Sequence, residues 1–296
     1  MVQNNQGRTV ISHHTLQGSC IICTSPTQYF FSKTYPAGPP SPFSDPLKVD
    51  YFKCSDCGFV ISKTHQDMSP DQWAELNYKW HHFFEQNPKA QISNQPPYID
   101  QSLALTMLDR NGLVNLGDAL DYAAGYGTMA SALSKYFNKD ISIFDRFVKS
   151  NSSNSDYTNE KDLKKYDLVI NSAMFEHVTQ RESLDEVNNL VSENGVLMMH
   201  TVVCETVPND PNWFYITPMV HTAFHTNRSM DILMDQWGYS KSVYSPQAKS
   251  WFLFKSGHPQ ADNIHEIVDS INSELQSKFF ISKDGFVDYW KGFDLL

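Results

Sequence analysis

The sequence is short of several things, and each shortage removes a class of protein. No apolar run approaches the roughly 18 residues that a membrane-spanning helix needs. The opening Met1-Val2-Gln3-Asn4-Asn5-Gln6-Gly7 is polar and has no secretory leader pattern, so a cytoplasmic location and no membrane partner are expected. Basic side chains are outnumbered, 23 Lys and Arg against 33 Asp and Glu, for a formal net charge of -10. That balance opposes nonspecific attraction to phosphate backbones, so no nucleic acid is expected as a partner and small-molecule or protein substrates are favoured. Only five cysteines occur in 296 residues. The length suits one main domain with accessory pieces.

Four of those cysteines fall into two pairs, Cys20-Ile-Ile-Cys23 and Cys54-Ser-Asp-Cys57-Gly58, with 30 residues between the pairs. Two such knuckles bring four thiolates together tetrahedrally, which predicts a structural Zn²⁺ site closed to substrate. The rival reading, disulfides or redox dithiols, is disfavoured in a reducing compartment. Short strands are expected at Tyr29–Phe31, Val49–Lys53 and Phe59–Ser62, with a proline-rich loop over 35–42. Residues 1–65 are therefore assigned to a small zinc-binding module with little apolar core of its own.

Ser69-Pro70-Asp71-Gln72 has the pattern of a capped helix start. Trp73, Leu76, Trp80, Phe83 and Phe84 follow at helical spacing, which predicts packing against the sheet domain. Tyr78, Trp80, His81 and His82 offer a second reading, a lid over a site. After a polar linker at 87–97, a second helix is expected from about residue 98 to 109. Residues 66–113 thus form a helical bridge or lid.

The centre of the chain is the small-residue turn Asp121-Tyr122-Ala123-Ala124-Gly125-Tyr126-Gly127, which follows the apolar lead-in Ala119-Leu120 and precedes a helix-like run from Met129 to Phe137. This order places backbone N–H groups and a helix N-terminus around one concave point. The stretch resembles motif I of the class I methyltransferases that use S-adenosylmethionine, with Asp121 at the acidic position and Gly125 and Gly127 at two of three glycine positions. Ala123 stands at the first glycine position, where its methyl is accommodated if φ stays negative.

Ile141–Asp145 reads as the next strand, with Asp145 18 residues beyond Gly127, the distance of one βαβ unit whose terminal acid accepts from ribose hydroxyls. Asp145 falls on the acidic position of the resemblance. The polar stretch over 149–165 hides the third strand, and Asp156 and Tyr157 are its candidate adenine contacts. Tyr166–Ser172 restores a strand followed by Ala173-Met174-Phe175-Glu176-His177-Val178, similar to motif IV of the family. Asn171 is a candidate donor contact, and Glu176 and His177 are candidates for catalysis. A helix over 181–192, a turn at Asn194-Gly195 and a strand over 195–201 continue the likeness. Helix 228–237 and strands near Tyr239–Val243 and Trp251–Phe254 complete it.

The resemblance implies an α/β fold, a Rossmann-like seven-stranded sheet in the order 3-2-1-4-5-7-6 with helices on both faces, over residues 114–256. It implies S-adenosylmethionine as cofactor, held by Asp121, Ala123, Gly125, Gly127, Asp145, Asp156, Tyr157 and Asn171. It further implies methyl transfer to a small-molecule acceptor, such as a sugar or a biosynthetic intermediate. The amino-terminal cysteine module is similar to one found ahead of certain sugar and small-molecule methyltransferases. In the sugar C-methylating branch a Glu-His pair stands near Val220-His221, and the valine here counts against carbon methylation.

After the fifth strand of the sheet, Cys204 and Glu205 open a loop expected to meet substrate. His177, His221 and His225 are the candidate bases. His221 and His225, four residues apart, also read as a metal pair without evident further ligands, or as ordinary hydrogen-bonded histidines. An NAD-dependent oxidoreductase and a zinc-stabilised, non-catalytic nucleotide-binding scaffold stay open as alternatives. Residues 257–296 read as a helical and aromatic extension packed within one chain or across a homodimer.

Overall fold

The computed structural model describes residues 16–87, 95–148 and 157–288. Asp156, most of the 87–97 linker and the aromatic residues Tyr289, Trp290 and Phe293 lie outside that set.

The chain begins with four antiparallel strands, β1 (Leu16–Ser19), β2 (Pro26–Tyr35), β3 (Leu47–Cys54) and β4 (Val60–Ser62). A single helical turn, α1 (Lys63–Gln66), leads to α2 (Pro70–Gln86) and α3 (Tyr98–Arg110). The capping box on α2 forms as the sequence predicts: Ser69 accepts from the Gln72 N–H while the Gln72 side chain accepts from the Ser69 N–H.

Then comes the alternation of a doubly wound fold. It runs through β5 (Ala119–Tyr122), α4 (Thr128–Phe137), β6 (Ser142–Phe144), β7 (Tyr166–Ser172), α5 (Arg181–Asn189) and β8 (Val191–His200). Two short strands, β9 (Val203–Cys204) and β10 (Ala223–Thr226), precede α6 (Asn227–Trp237), β11 (Tyr239–Ser245) and β12 (Ser250–Lys255). The extension adds α7 (Ile264–Leu275) and β13 (Ile281–Asp284).

The larger sheet has the order β13-β11-β12-β8-β7-β5-β6. Strands β6, β5, β7 and β8 run parallel, and β12 is antiparallel to both β8 and β11. This is the order the resemblance implies, with two amendments. Among the described residues the expected third strand is represented by a single parallel bridge between Ile143 and Tyr157. The seventh strand of the sheet is instead β13 from the extension, which the sequence reading left helical and aromatic.

Alternation along β8 shows why the layers hold. Val196 and Met198 face a core with Leu105 and Leu108 of α3, Met129 and Leu133 of α4 and Val268 of α7. Leu197 and Met199 face the opposite core with Leu184 and Val187 of α5 and Leu233 of α6. All four are at most 1% exposed, so one leucine or methionine cut to alanine there costs about 2–5 kcal/mol.

The second core also takes in Cys20, Ile22, Cys54, Cys57, Phe59 and Ile61, so the cysteine module shares its apolar interior with the large sheet. The smaller sheet, β1-β2-β3-β4-β10-β9, crosses the expected module boundary at residue 65, since β10 pairs with β4. The segment read from sequence as a substrate loop thus starts at β9, which ends at Cys204, and supplies β10. Helix α2 packs differently from expectation as well. Leu76 and Trp80 join Phe31, Tyr51, Val60, Tyr215, Ile216 and Phe224 in a core on the small sheet, not on the large one. The pattern gave an apolar face without specifying which sheet would meet it.

Candidate active site and cysteine cluster

The turn after β5 is held by three residues with left-handed backbone: Ala123 at φ 61, Gly125 at φ 54 and Gly127 at φ 71. The condition of a negative φ at Ala123 is therefore not met. Its methyl sits in a region that disfavours a side chain by about 1–2 kcal/mol, which the surrounding turn imposes. Gly127 is the N-cap of α4, and a Cβ there would stand 3.2 Å from Ile143 Cδ1, so the glycine also permits close helix-to-strand packing.

Asp145, just past β6, reaches back to this turn. Its Oδ2 accepts from the Gly125 N–H at 2.9 Å, and its Oδ1 accepts from the N–H groups of Phe147 and Val148, each at 2.8 Å. Tyr157 donates its hydroxyl to the Gly125 carbonyl at 2.6 Å. Asn171 at the end of β7 donates to the Tyr122 carbonyl at 3.2 Å, and its Oδ1 is buried without a partner. Asp121 is 2% exposed, and burial, reinforced by the charge of Asp145, raises its pKa to about 8. Asp121, Ala123, Gly125, Gly127, Asp145, Tyr157 and Asn171 thus converge at the carboxyl ends of β5, β6 and β7. An open cavity of about 320 Å³ beside them is lined by Phe144, Asp145, Arg146, Val148, Tyr157, Thr158, Asn159 and Glu160.

A second group lies beyond β7 and β8. Glu176 and His177 occupy a single 3₁₀ turn four residues past β7, and the rings of His177 and His221 are 4.9 Å apart at 86°. His221 donates Nδ1–H to the Tyr215 carbonyl at 2.7 Å. The Tyr215 hydroxyl meets Thr201 Oγ1 at 3.1 Å and accepts from the Val202 N–H. Burial raises Glu176 to about 7, opposed by hydrogen bonding that includes the Tyr215 and Thr201 hydroxyls. Burial lowers His221 to about 3 and takes His177 well below the ordinary imidazole range, with His221 and His81 pushing His177 further the same way. Both imidazoles are neutral at pH 7 and carry a lone pair.

His81 of α2 was only a lid candidate in the sequence. Its ring stands 5.3 Å from that of His177, and Asp145 is close enough to oppose the effect of the packed protein that lowers its pKa. It therefore lies between the turn and the His177–His221 pair. No spacing rule singles it out, since its partners come from three distant segments. Tyr215 and Thr201 were missed for the same reason.

His225 is a correction. It lies on β10, is 0% exposed, and packs against Phe59 and Phe175 with ring distances of 5.0 and 5.9 Å. Its Nε2 points at the Phe175 carbonyl, 3.4 Å away, and the group of candidate ligands that contains His221 does not include it. In an extended strand, residues four apart share a face but stand about 13 Å apart along the chain, whereas in a helix they are neighbours. Here the turn at 218–221 and the start of β10 separate the two histidines, so they form no metal pair.

The four thiols of Cys20, Cys23, Cys54 and Cys57 lie within 4.8 Å of one another and none is in a disulfide. Cys20 Sγ is 3.7 Å from Cys57 Sγ, and Cys23 Sγ is 3.3 Å from Cys54 Sγ. The edge of a tetrahedral zinc–thiolate site is about 3.8 Å, so the donor set fits Zn²⁺. The N–H groups of Ile22 and Asp56 point at Cys20 and Cys54, each at 3.4 Å, as knuckle amides do toward thiolates. The module is also tied to the helices of the large sheet: Gln236 and Arg181 donate to the Ile22 carbonyl.

Residues 98–242 match a protein-family profile described as a methyltransferase domain. That segment, with its parallel strands and acid-clasped turn, is a methyltransferase domain. Among curated proteins, none matches this sequence. Three solved structures show its similarities. The plantazolicin methyltransferase BpumL, in complex with SAH, is 12% identical over 65% of this chain and 93% of that one, at a TM-score of 0.36. CalO1, a methyltransferase in calicheamicin biosynthesis in its SAH-bound form, is 11% identical over 63% and 59%, at 0.40. An O-methyltransferase of a trans-AT PKS multienzyme of Brevibacillus brevis, in complex with S-adenosyl-L-homocysteine, is 13% identical over 66% and 75%, at 0.33. Likeness at this level carries no inference about ligand or acceptor. Among the described residues, no helix is long and apolar enough to cross a membrane.

Proposed function

We propose that this enzyme transfers the methyl group of S-adenosylmethionine to a small-molecule acceptor. The observation that carries the reading is the clasp of Asp145 on the Gly125 amide, in a methyltransferase domain, with a Glu-His-His group of two buried and one half-buried side chains beyond the adjoining strand ends. Bound S-adenosylmethionine supplies an electrophilic methyl carbon. The left-handed turn gives the amino-acid part of the donor backbone amides and space, because Gly125 has no heavy atom within 4 Å of a virtual Cβ. Asp145 receives the ribose hydroxyls on its remaining lone pairs, and Tyr157 bounds the adenine side with Phe144 and Val148.

The acceptor then lies between the donor and the group made by Glu176, His177 and His221, roofed by His81. Neutral imidazoles and a carboxylate near neutrality are suited to orient an acceptor hydroxyl and take its proton. Alignment and exclusion of water supply the remaining advantage for an in-line displacement. In the cysteine module, Zn²⁺ held by Cys20, Cys23, Cys54 and Cys57 supplies cross-linking only, since four thiolates close its coordination. The dinucleotide alternative has no support from the segment that carries the turn, which matches a methyltransferase domain.

The test is calorimetric titration with S-adenosylmethionine and S-adenosylhomocysteine, followed by a donor-loaded crystal structure and an unbiased acceptor screen. Saturable donor binding in the cavity beside Asp145 is expected. A crevice left empty at millimolar donor would overturn the reading.

A further inference from the structure

Glu176, His177 and His221 each offer one ligand atom, and the three atoms lie within 4.8 Å of one another. Two of these side chains carry a buried polar atom without a hydrogen-bond partner, Glu176 Oε2 and His177 Nδ1, and Glu176 is only 2% exposed. Buried atoms of this kind are costly unless something else occupies the space between them. The third side chain has its tautomer fixed: His221 donates Nδ1–H to the Tyr215 carbonyl, which leaves the lone pair on Nε2. A backbone carbonyl that holds the far nitrogen of an imidazole is the support found behind metal-bound histidines. Ligand bonds of about 2.0–2.2 Å set donor atoms about 3.0–3.5 Å apart, so the trio draws together around a cation.

We propose that Glu176, His177 and His221 bind a divalent transition-metal cation in a two-histidine, one-carboxylate arrangement, with open positions that accept an oxygen of the methyl acceptor. Two imidazoles and one carboxylate suit Mn²⁺, Fe²⁺ or Zn²⁺, whereas Mg²⁺ and Ca²⁺ prefer all-oxygen sites. The site differs from the cysteine cluster in chemistry, because thiolates select soft metals and the trio does not. It also replaces the His221–His225 pair suggested by sequence spacing with a set drawn from two segments. An acceptor that chelates through a hydroxyl and a neighbouring oxygen is the substrate class this arrangement takes. The assignment of that oxygen to the acceptor rests on the methyl-transfer reading; the metal site itself does not.

The experiment is a titration of the full chain with Mn²⁺, followed by electron paramagnetic resonance, because Mn²⁺ avoids the thiolate cluster. Saturable binding of about one Mn²⁺ per chain is expected, weakened about tenfold or more in Glu176→Gln and His177→Ala. His225→Gln, outside the trio, retains it. Thermal melts identify any variant that does not fold, and if Glu176→Gln and His177→Ala both fail, His221→Gln takes their place. No Mn²⁺ binding by the unsubstituted chain at millimolar supply, or unchanged affinity in the folded variants, overturns the proposal. S-adenosylhomocysteine titrations of the same samples separate the two readings: lost donor binding counts against methyl transfer, lost Mn²⁺ binding against the metal site alone.

Discussion

Asp145 accepts the Gly125 amide at 2.9 Å, which joins the end of the second parallel strand to the apex of the turn that follows the first. One carboxylate thereby shapes the turn, and in the proposed function its free lone pairs receive a ribose. Replacing Asp145 by Ala is expected to weaken S-adenosylmethionine binding at least tenfold, since charge-assisted hydrogen bonds contribute about 1.5–3 kcal/mol. Calorimetry checks this, and an unchanged dissociation constant would remove Asp145 from the donor site.

Ala123 stands at φ 61, where a glycine is at ease and an alanine is strained. Ala123→Gly is expected to stabilise the protein by about 0.5–1 kcal/mol, the relief of left-handed strain being partly offset by a more flexible unfolded chain. Urea unfolding measures it. A lower midpoint in the glycine variant would show that the alanine methyl makes a contact worth more than the strain.

The four-cysteine cluster shares a core with the large sheet, so its loss should be felt beyond the module. Cys57→Ser is expected to lose about one equivalent of zinc per chain and to lower the melting temperature sharply. Metal analysis by mass spectrometry with parallel thermal melts tests the point. A metal-free protein with an unchanged melt would rule out a structural zinc.

His177 and His221 face one another, while His225 is sealed in the core between Phe59 and Phe175. His177→Ala and His221→Ala are each expected to lower turnover about 10²-fold or more with donor affinity retained. His225→Gln should keep turnover per folded molecule. Full activity in both of the first two variants would sink the proposed catalytic role.

His65 and His225 are at most 1% exposed, and burial lowers each to about 4. Below the ordinary value near 6.5 the unfolded chain binds protons that the folded chain refuses, so their contribution is complete above pH 6.5 and is lost as pH falls toward 4. Stability from urea unfolding should decline over that window, with about 1.4 kcal/mol per pH unit at most from each histidine. His225→Gln should flatten the decline. An equal slope in that variant would mean that other groups govern acid sensitivity.

Much of this protein is legible in the chain because local chemistry settles it. Cys20, Cys23, Cys54 and Cys57 announce a four-thiol cluster by spacing, Ser69-Pro70 and Gln72 specify a helix start, and strand alternation such as Val196-Leu197-Met198-Met199 requires a sheet covered on both faces. The succession of turn and strand-end acid is likewise a matter of short-range pattern. What the chain alone left undecided depends on contacts between distant segments. Only the fold shows α2 lying on the small sheet, β9 and β10 completing that sheet, β13 taking the outer edge, and His81 meeting His177. Spacing in sequence reports which side chains share a face of one element; it carries no information on which elements meet. For that reason His225, four residues from His221, lies in the core, and Glu176 and His177, more than forty residues away, lie beside it.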